Sequence, residues 1–238
     1  MRTAYTVFRN LYNVRKMTMK LVLASGSQRR RELLTMCGYD YEIIVSNADE
    51  TIDENDPESF VRALSFRKAK EVFDRLFAAG RRDFAVIGSD TVVAFQKEGG
   101  TKPVIIGKPK DAKDAVRILS MLSGKTHRVF TGVSVIADIP DENAAAQCSI
   151  REKAEIQTEC SITEVTFETL SPDEITDYVN SGDPLDKAGS YGIQGPFGMF
   201  VREIRGNYFT VIGMPIPVLY KMLKKIGILP HGFYERIE

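Results

Sequence analysis

The chain of 238 residues is poor in histidine and in cysteine. With only His127 and His231 available, a Ser-His-Asp triad or a histidine-rich metal centre is not expected. The three cysteines are odd in number and lack the spacing of metal ligands, which argues for a reducing compartment and against a disulfide framework or a zinc site. Any chemistry that the protein performs therefore has to come from carboxylates, lysines and arginines.

An excess of one charge and long apolar runs are also missing. Lys and Arg number 32, as do Asp and Glu, so the formal net charge is zero and no overall field attracts nucleic acid or an anionic membrane. No apolar run approaches the length of a transmembrane helix. We predict a cytoplasmic protein without nucleic-acid or membrane partners, in which any binding of anions is local.

The N-terminal residues have an unusual composition. Residues 1–31 contain no Asp or Glu. They include Arg2, Arg9, Arg15 and Lys16. The same composition occurs in organellar transit peptides, so targeting to an organelle through residues 1–18 stays open as an alternative location. We predict an N-terminal extension over residues 1–19, one domain over residues 20–228 and a C-terminal tail over residues 229–238.

Apolar residues alternate between strand and helix periodicity along the chain, which predicts an α/β fold. The predicted strands are 20–24, 41–46, 84–87, 92–95, 104–106, 127–137, 160–167 and 199–204. The predicted helices are 28–37, 57–79, 111–122, 172–180 and 215–226. The segment 183–198 is rich in glycine, proline and polar residues without periodicity, and loops of that length in compact domains tend to be functional.

The turn after the first strand predicts a phosphate site. Ser25-Gly26-Ser27 leads into a helix that Ser27 can cap, and Arg29, Arg30 and Arg31 crowd its first turn. The free N–H groups of that turn already carry partial positive charge, so the arginines repel it unless an anion binds there. Arginine is also a good helix former, and a solvated basic helix start is the alternative interpretation.

Two further residues and one acidic segment are candidates for a functional site, although each also has a simpler interpretation. Asp90 directly follows the strand 84–87, which predicts a carboxylate at the strand's carboxyl end, where α/β folds bind ligands. An Asx-turn or a helix cap is the alternative for this residue. Lys108 follows another strand in a turn, where lysines are usually only solvated. The acidic run 49–54 lacks the glycine of an EF-hand loop, but one of its carboxylates could hold a hard metal ion.

Taken together, six ordered motifs resemble the Maf family, also called septum-formation-inhibitor-like nucleotide pyrophosphatases. The resemblance extends from Lys20 to Gly227. The motifs are Ala24-Ser-Gly-Ser-Gln-Arg-Arg30, Gly88-Ser-Asp-Thr-Val92, Gly107-Lys-Pro109, Leu122-Ser-Gly-Lys-Thr-His127, Tyr178-Val-Asn-Ser-Gly182 and Pro184-Leu-Asp-Lys-Ala-Gly-Ser-Tyr-Gly-Ile-Gln-Gly195. Two positions depart from the family pattern, because Gln28 stands where proline is usual and Ser89 where alanine is common.

This resemblance implies an enzyme that hydrolyses nucleoside triphosphates between the α and β phosphates. The products are the monophosphate and pyrophosphate, and a divalent cation, Mg²⁺ or Mn²⁺, assists. The implied function is house-cleaning of non-canonical nucleotides. The implied fold is similar to inosine triphosphatase, with a mixed central sheet, flanking helices and two lobes that enclose a nucleotide cleft. A homodimer is also implied, although nothing in the sequence is a signature of one.

The resemblance also assigns roles to individual residues. Asp90 would act as general base on the attacking water and could also contact the metal, which Glu50 would bind. Lys68 and Lys108 would neutralise charge that develops in the transition state. Only the resemblance singles out Lys68, because basic residues on a long helix are usually just exposed. The phosphate chain would be held by Ser25, Ser27, Arg29 and Arg30.

Three positions resemble the subgroup of the family that acts on dTTP, UTP and modified pyrimidine nucleotides. They are Arg29, Thr91 and Gln194, where the subgroup preferring 7-methylguanosine triphosphate carries Trp, Gln and Glu. A neutral amide suits the edge of uracil or thymine, whereas an aromatic face and a carboxylate suit a cationic purine. Gln194 also has a simpler interpretation as an amide that satisfies loop backbone groups.

Two other functions stay open from the sequence. One is a nucleotide-binding regulator of cell division with little catalysis, and the other is a 7-methylguanosine triphosphate pyrophosphatase.

Overall fold

The structure, a computed structural model, describes residues 19–96, 99–100, 102–139 and 154–231. Its strands are β1 (Lys20–Leu23), β2 (Tyr41–Ile43), β3 (Phe84–Phe95), β4 (Val104–Ile106), β5 (Thr126–Asp138), β6 (Ala154–Phe167) and β7 (Val201–Arg205). Its helices are α1 (Gln28–Met36), α2 (Pro57–Ala78), α3 (Ala112–Leu122), α4 (Pro172–Asn180), α5 (Tyr208–Ile212) and α6 (Ile216–Lys225).

The described strands form one mixed sheet in the order β2-β1-β3-β5-β6-β7, and β4 pairs with β3. The pairs of β1 with β2 and with β3 are parallel, and the other pairs are antiparallel. Helices cover the sheet, so the predicted mixed α/β fold with flanking helices is confirmed.

Strand β3 organises the sheet because two short strands share one of its edges. Strand β1 pairs with Phe84–Ile87 and β4 pairs with Val93–Phe95, while β5 pairs with the other edge from Ala85 to Ala94. Among the described strands, only β5 therefore pairs with the stretch Gly88–Val92. This stretch leaves a gap between β1 and β4, and the chain turns into α1 beside it, since the Ala24 N–H donates to the Ile87 carbonyl.

The buried clusters on either side of this gap have largely different partners, although α2 packs against both ends of β3. Residues at the start of β3, such as Phe84 and Ile87, pack in clusters with β1, α1, α2 and α6. Residues at its end, such as Val93 and Phe95, pack in a cluster with α3, α4 and the segment 183–200. This division is consistent with the two lobes that the resemblance implies.

Helix α2 lies against the middle of the sheet because two glycines let its backbone approach. A Cβ atom at Gly88 would lie 2.2 Å from the Ser65 carbonyl oxygen, and one at Gly132 would lie 2.2 Å from the Val61 carbonyl oxygen. Real Cβ atoms do not come so close to backbone. The contact brings the middle of α2, near Ser65 and Ala69, to the gap in the sheet.

The predicted helix starts are mostly confirmed. Asp56 caps α2 by accepting from the Ser59 N–H. Ser171 and Glu174 form a capping box at the start of α4, the helix predicted over residues 172–180. The prediction for Ser27 is wrong: it occupies the N-cap position of α1 with extended backbone, but its side chain makes no capping hydrogen bond.

Several predicted boundaries need correction. Strands 84–87 and 92–95 are parts of the continuous strand β3, and β6 begins at Ala154 instead of residue 160. Helix α5 was not predicted. The segment 183–198 contains two short 3-10 turns and the start of a third that ends at Phe200. Residues 1–18 of the extension predicted over residues 1–19 and most of the predicted tail lie outside the described residues.

Candidate active site

A lysine between two carboxylates lies at the gap in the sheet. The Lys68 Nζ donates to Asp90 Oδ1 at 2.7 Å and lies 3.0 Å from Glu50 Oε1. The side chains of Lys68 and Asp90 are each 12% exposed, whereas that of Glu50 is 65% exposed. Lys68 is therefore not the solvated lysine that its helix would suggest, and the three residues form one cluster that opens to solvent on the Glu50 side.

Asp90 reaches this cluster from the middle of a strand, not from its end. The prediction that Asp90 sits at a strand's carboxyl end is wrong, because β3 continues for five residues beyond it. The physical reason is the antiparallel partner β5, which pairs with Asp90 through Gly132 and extends the strand. The parallel partner β1 does stop at Ile87, so the carboxylate still lies beyond the end of the parallel part of the sheet.

A second cluster forms around Arg30. Its Nη1 donates to Ser25 Oγ at 3.1 Å, and its Nη2 lies 3.4 Å from Thr91 Oγ1. Its Nε donates to the Gly213 carbonyl oxygen at 2.8 Å. Side chains alternate between the faces of a strand, so Thr91 and Asp90 project to opposite faces of β3. The Arg30 cluster and the Lys68 cluster therefore lie on either side of the exposed edge of β3.

The charges of the two clusters influence each other. Burial lowers the pKa of the Arg30 guanidinium below its ordinary value, and the nearby Asp90 carboxylate partly offsets that effect. Arginine stays protonated in proteins, so Arg30 brings a fixed positive charge close to Asp90. The gap thus has an arginine on one side and a lysine paired with two carboxylates on the other.

Arg29 contacts the segment 183–198 instead of the Arg30 cluster. Its Nη1 lies 3.1 Å from Asp186 Oδ2. Burial alone would raise the pKa of Asp186, but hydrogen bonds and charges from Lys187 and Arg29 lower it below its ordinary value. This ion pair ties the start of α1 to the loop that carries Gln194.

The loop itself is anchored by an interior network. The Tyr178 hydroxyl donates to Asp183 Oδ2 at 2.5 Å and accepts from the Gly192 N–H at 3.1 Å. Lys187 Nζ lies 3.0 Å from Asp183 Oδ1. Gln194 lies in the turn after this network and is exposed. The described contacts do not join Gln194 to the other predicted site residues.

Lys108 is exposed in the turn that follows β4. The described contacts give its side chain no partner among the other predicted site residues. Its turn is nevertheless joined to the loop, because the Gly107 carbonyl accepts from the Gly189 N–H at 3.0 Å. Ile106 pairs with Val93, so the chain beyond β4 runs alongside β3 toward Thr91 and Asp90.

Comparison with known proteins identifies the family. The model of the family described as "Maf-like protein" matches residues 20–226. The chain belongs to the Maf family. A relative from Agathobacter rectalis named dTTP/UTP pyrophosphatase is 40% identical over 217 residues, covering 88% of this chain and 98% of the relative. A relative from Bacillus thuringiensis subsp. konkukian with the same name is 42% identical over 210 residues, covering 88% and 96%.

Among solved structures, the Staphylococcus aureus Ham1 protein matches 87% of this chain and 98% of its own, at 15% identity and a TM-score of 0.45. Within the described part of this Maf protein, no helix combines the length and the apolar character needed to cross a membrane.

The residues of this Maf protein fit the divalent cation that its resemblance implies. The described residues contain no group of three or more His, Cys, Asp or Glu arranged around a common point. Mg²⁺, however, is usually held by one or two carboxylates together with substrate phosphates and water. Asp90 and Glu50 supply two such carboxylates around one ammonium, a position that already favours positive charge.

Sequence reasoning missed two residues that contact the candidate site of this Maf protein. The Gly213 carbonyl accepts from Arg30 and also from the Ser89 hydroxyl at 3.0 Å, and Asp186 pairs with Arg29. Asp186 stands inside a family motif, so that motif was the available signal. The sequence around Gly213 shows only a glycine in a turn, and no local pattern predicts its contact with the distant Arg30.

Proposed function

We propose that this protein is a metal-assisted nucleoside triphosphate pyrophosphatase that prefers dTTP and UTP. The observation that carries the proposal is the contact of Lys68 with both Asp90 and Glu50 at the gap in the sheet. The names of relatives about 40% identical over most of the chain support the same reaction and the same pyrimidine substrates.

The site chemistry suits attack on phosphorus. A nucleoside triphosphate brings about four negative charges, and its hydrolysis needs positioned water and neutralised charge more than covalent chemistry. Asp90 would accept the proton of the attacking water. A metal held by Asp90 and Glu50 would polarise the phosphoryl group when it is bound.

The basic residues would bind the phosphate chain. Arg30 and Ser25 are held together beside the start of α1, whose first N–H groups favour anions. The Ser27 side chain makes no capping hydrogen bond to those N–H groups, which would leave them to a ligand. Arg29 would exchange its contact with Asp186 for a phosphate. Lys68 and the exposed Lys108 would neutralise charge in the transition state.

The pyrimidine base would be recognised on the loop side of the site. Gln194 is exposed on the same loop that Arg29 contacts through Asp186, and Thr91 lies beside Arg30. An amide can donate and accept at once, which matches the edge of uracil or thymine. The homodimer implied by the resemblance stays a prediction.

The proposal is tested with a panel of nucleotides. Release of pyrophosphate from dTTP, UTP, dCTP, ATP, GTP and 7-methylguanosine triphosphate is measured with Mg²⁺, with Mn²⁺ and with a chelator. We expect kcat/KM to be highest for dTTP and UTP and to disappear with the chelator. A preference for the methylated purine would contradict the choice of substrate, and binding of nucleotides without turnover would contradict the enzyme.

A further inference from the structure

The segment that carries Glu50 has no regular secondary structure. Residues 44–55, between β2 and α2, belong to no helix or strand. The Glu50 side chain is largely exposed, yet it reaches the same ammonium as the buried Asp90. Something other than strand pairing or burial must therefore hold the backbone on either side of Glu50.

Side chains on one face of helix α2 hold this backbone through hydrogen bonds. Arg75 Nη2 donates to the Val45 carbonyl oxygen at 3.0 Å. One turn earlier, Glu71 Oε2 accepts from the Asn47 N–H at 2.9 Å. These helix positions are four residues apart and so lie on one face, while their backbone partners are two residues apart along an extended chain.

Arg67 provides the next step of this ladder, four residues before Glu71. A single atom, its Nη1, donates to the carbonyl oxygens of both Asp49 and Thr51 at 2.8 Å. The two hydrogens on Nη1 match the two carbonyls, which flank Glu50 on either side. The neighbouring helix residue, Lys68, contacts the Glu50 carboxylate itself.

We propose that Arg67 is a positioning residue that fixes the Glu50 carboxylate for the metal through the Asp49 and Thr51 carbonyls. The proposal rests on the proposed function, because it takes Glu50 as a metal ligand. Without Arg67, an exposed glutamate on an irregular segment samples many conformations, and the metal has to order it on binding. Groups that orient metal ligands typically contribute 10–100-fold to metal affinity.

Two measurements test this role. Hydrogen exchange of residues 46–52 is compared in metal-free protein, and the Mn²⁺ concentration that half-saturates the complex with α,β-methylene-UTP is measured by electron paramagnetic resonance. We expect Arg67→Ala to accelerate the exchange and to raise the half-saturating Mn²⁺ about tenfold. Because saturating metal restores the order, kcat should stay close to that of the wild type.

Matched variants separate this role from loss of charge or of fold. Lys70→Ala removes an exposed cation from the same helix, whose described partner is Asp74, and should change neither readout. Arg67→Lys keeps a multiple donor and should recover part of the effect. Circular dichroism checks that each variant is folded.

The possible failures are distinguishable. Wild-type exchange and an unchanged Mn²⁺ requirement in Arg67→Ala would overturn the positioning role, and so would faster exchange with an unchanged Mn²⁺ requirement. Failure of the proposed function would instead appear in the wild-type protein, as an absence of pyrophosphate release, and the exchange comparison does not depend on turnover.

Discussion

At the scale of single residues, the proposed reaction depends most on Asp90. This carboxylate is nearly buried and accepts a hydrogen bond from Lys68, in a stretch of β3 that pairs on only one edge. An acidic residue in the middle of a long strand is unusual, since strands favour β-branched and aromatic residues. A strand residue of this kind is better explained by chemistry than by folding.

We predict that Asp90→Asn lowers kcat for UTP by about 10²–10⁴-fold, the usual contribution of a general base. Asparagine keeps the size of the side chain and a hydrogen-bond acceptor for Lys68, so the fold should survive. Steady-state kinetics together with thermal unfolding check both parts. Near-normal turnover by a folded Asp90→Asn protein would remove Asp90 from the mechanism.

Ser190 is a second residue with an unusual position. Its φ of 61° lies in the left-handed region, and its hydroxyl is buried without a hydrogen-bond partner among the described residues. A residue with a Cβ atom is strained in this conformation by about 1–2 kcal/mol. The strain falls in the loop that carries Gln194, which is where functional segments often hold it.

We predict that Ser190→Gly raises the free energy of unfolding by about 1 kcal/mol, because relief of strain exceeds the added entropy of the unfolded glycine. Urea denaturation measures the change. Ser190→Ala removes the hydroxyl but keeps the strain, so it separates the effect of losing the hydroxyl from the effect of relieving the backbone. A glycine variant less stable than the alanine variant would show that the left-handed backbone is not strained.

At the scale of elements, the loop 183–198 is held by an aromatic cluster on β5 and β6. His127 Nε2 lies 3.0 Å from the Tyr191 hydroxyl oxygen, and Phe167 packs edge-on against both rings. Burial lowers the pKa of His127 to about 3. His127 is therefore an interior residue that stays neutral in the folded protein.

The burial of His127 makes the stability of the folded protein depend on pH. Below its ordinary pKa of about 6.5, His127 is protonated in the unfolded chain but stays neutral in the folded one until about pH 3. The unfolded state then binds more protons, so stability falls as the pH is lowered from about 6.5 and is unaffected above it.

We predict that His127→Phe flattens this loss of stability, by up to about 1.4 kcal/mol for each pH unit below 6.5. Urea denaturation between pH 7.5 and 5 measures the slope, and His231→Asn, an exposed histidine, is the control. An unchanged slope for His127→Phe would mean that the histidine is protonated in the folded protein.

Most elements could be predicted from the sequence because their signals are local. The helices predicted over residues 57–79 and 172–180 are examples, and both are confirmed as α2 and α4. The continuity of β3 could not be predicted, because β5 pairs across the polar stretch Gly88–Thr91 and no local pattern reports that pairing. The ladder on α2 was missed for the same reason, since Arg67 looks like any exposed helix arginine.

At the scale of the whole molecule, the gap in the sheet explains why distant segments meet. Strands β1 and β4 leave the middle of β3 open, α1 starts beside that opening, and the glycines of β3 and β5 bring α2 to it. Lys68, Asp90 and Glu50 come together only through this packing. The resemblance selected these residues from the sequence, but their contact could be seen only in the fold.

The packing brings only some of the candidate site residues into contact with one another. Ser25, Arg30 and Thr91 form one cluster, and Arg29 reaches the loop. Lys108 and Gln194 are exposed in their turns, and the contacts of the described residues join neither of them to either cluster. A triphosphate long enough to contact both clusters would join them. Substrate binding is thus expected to complete the site.

The products of UTP hydrolysis test the central claim most directly. The wild-type protein is incubated with UTP and Mg²⁺, and the products are identified by phosphorus magnetic resonance. We predict UMP and pyrophosphate in equal amounts, with no reaction when the metal is chelated. Formation of UDP and inorganic phosphate, or the absence of any hydrolysis, would contradict it.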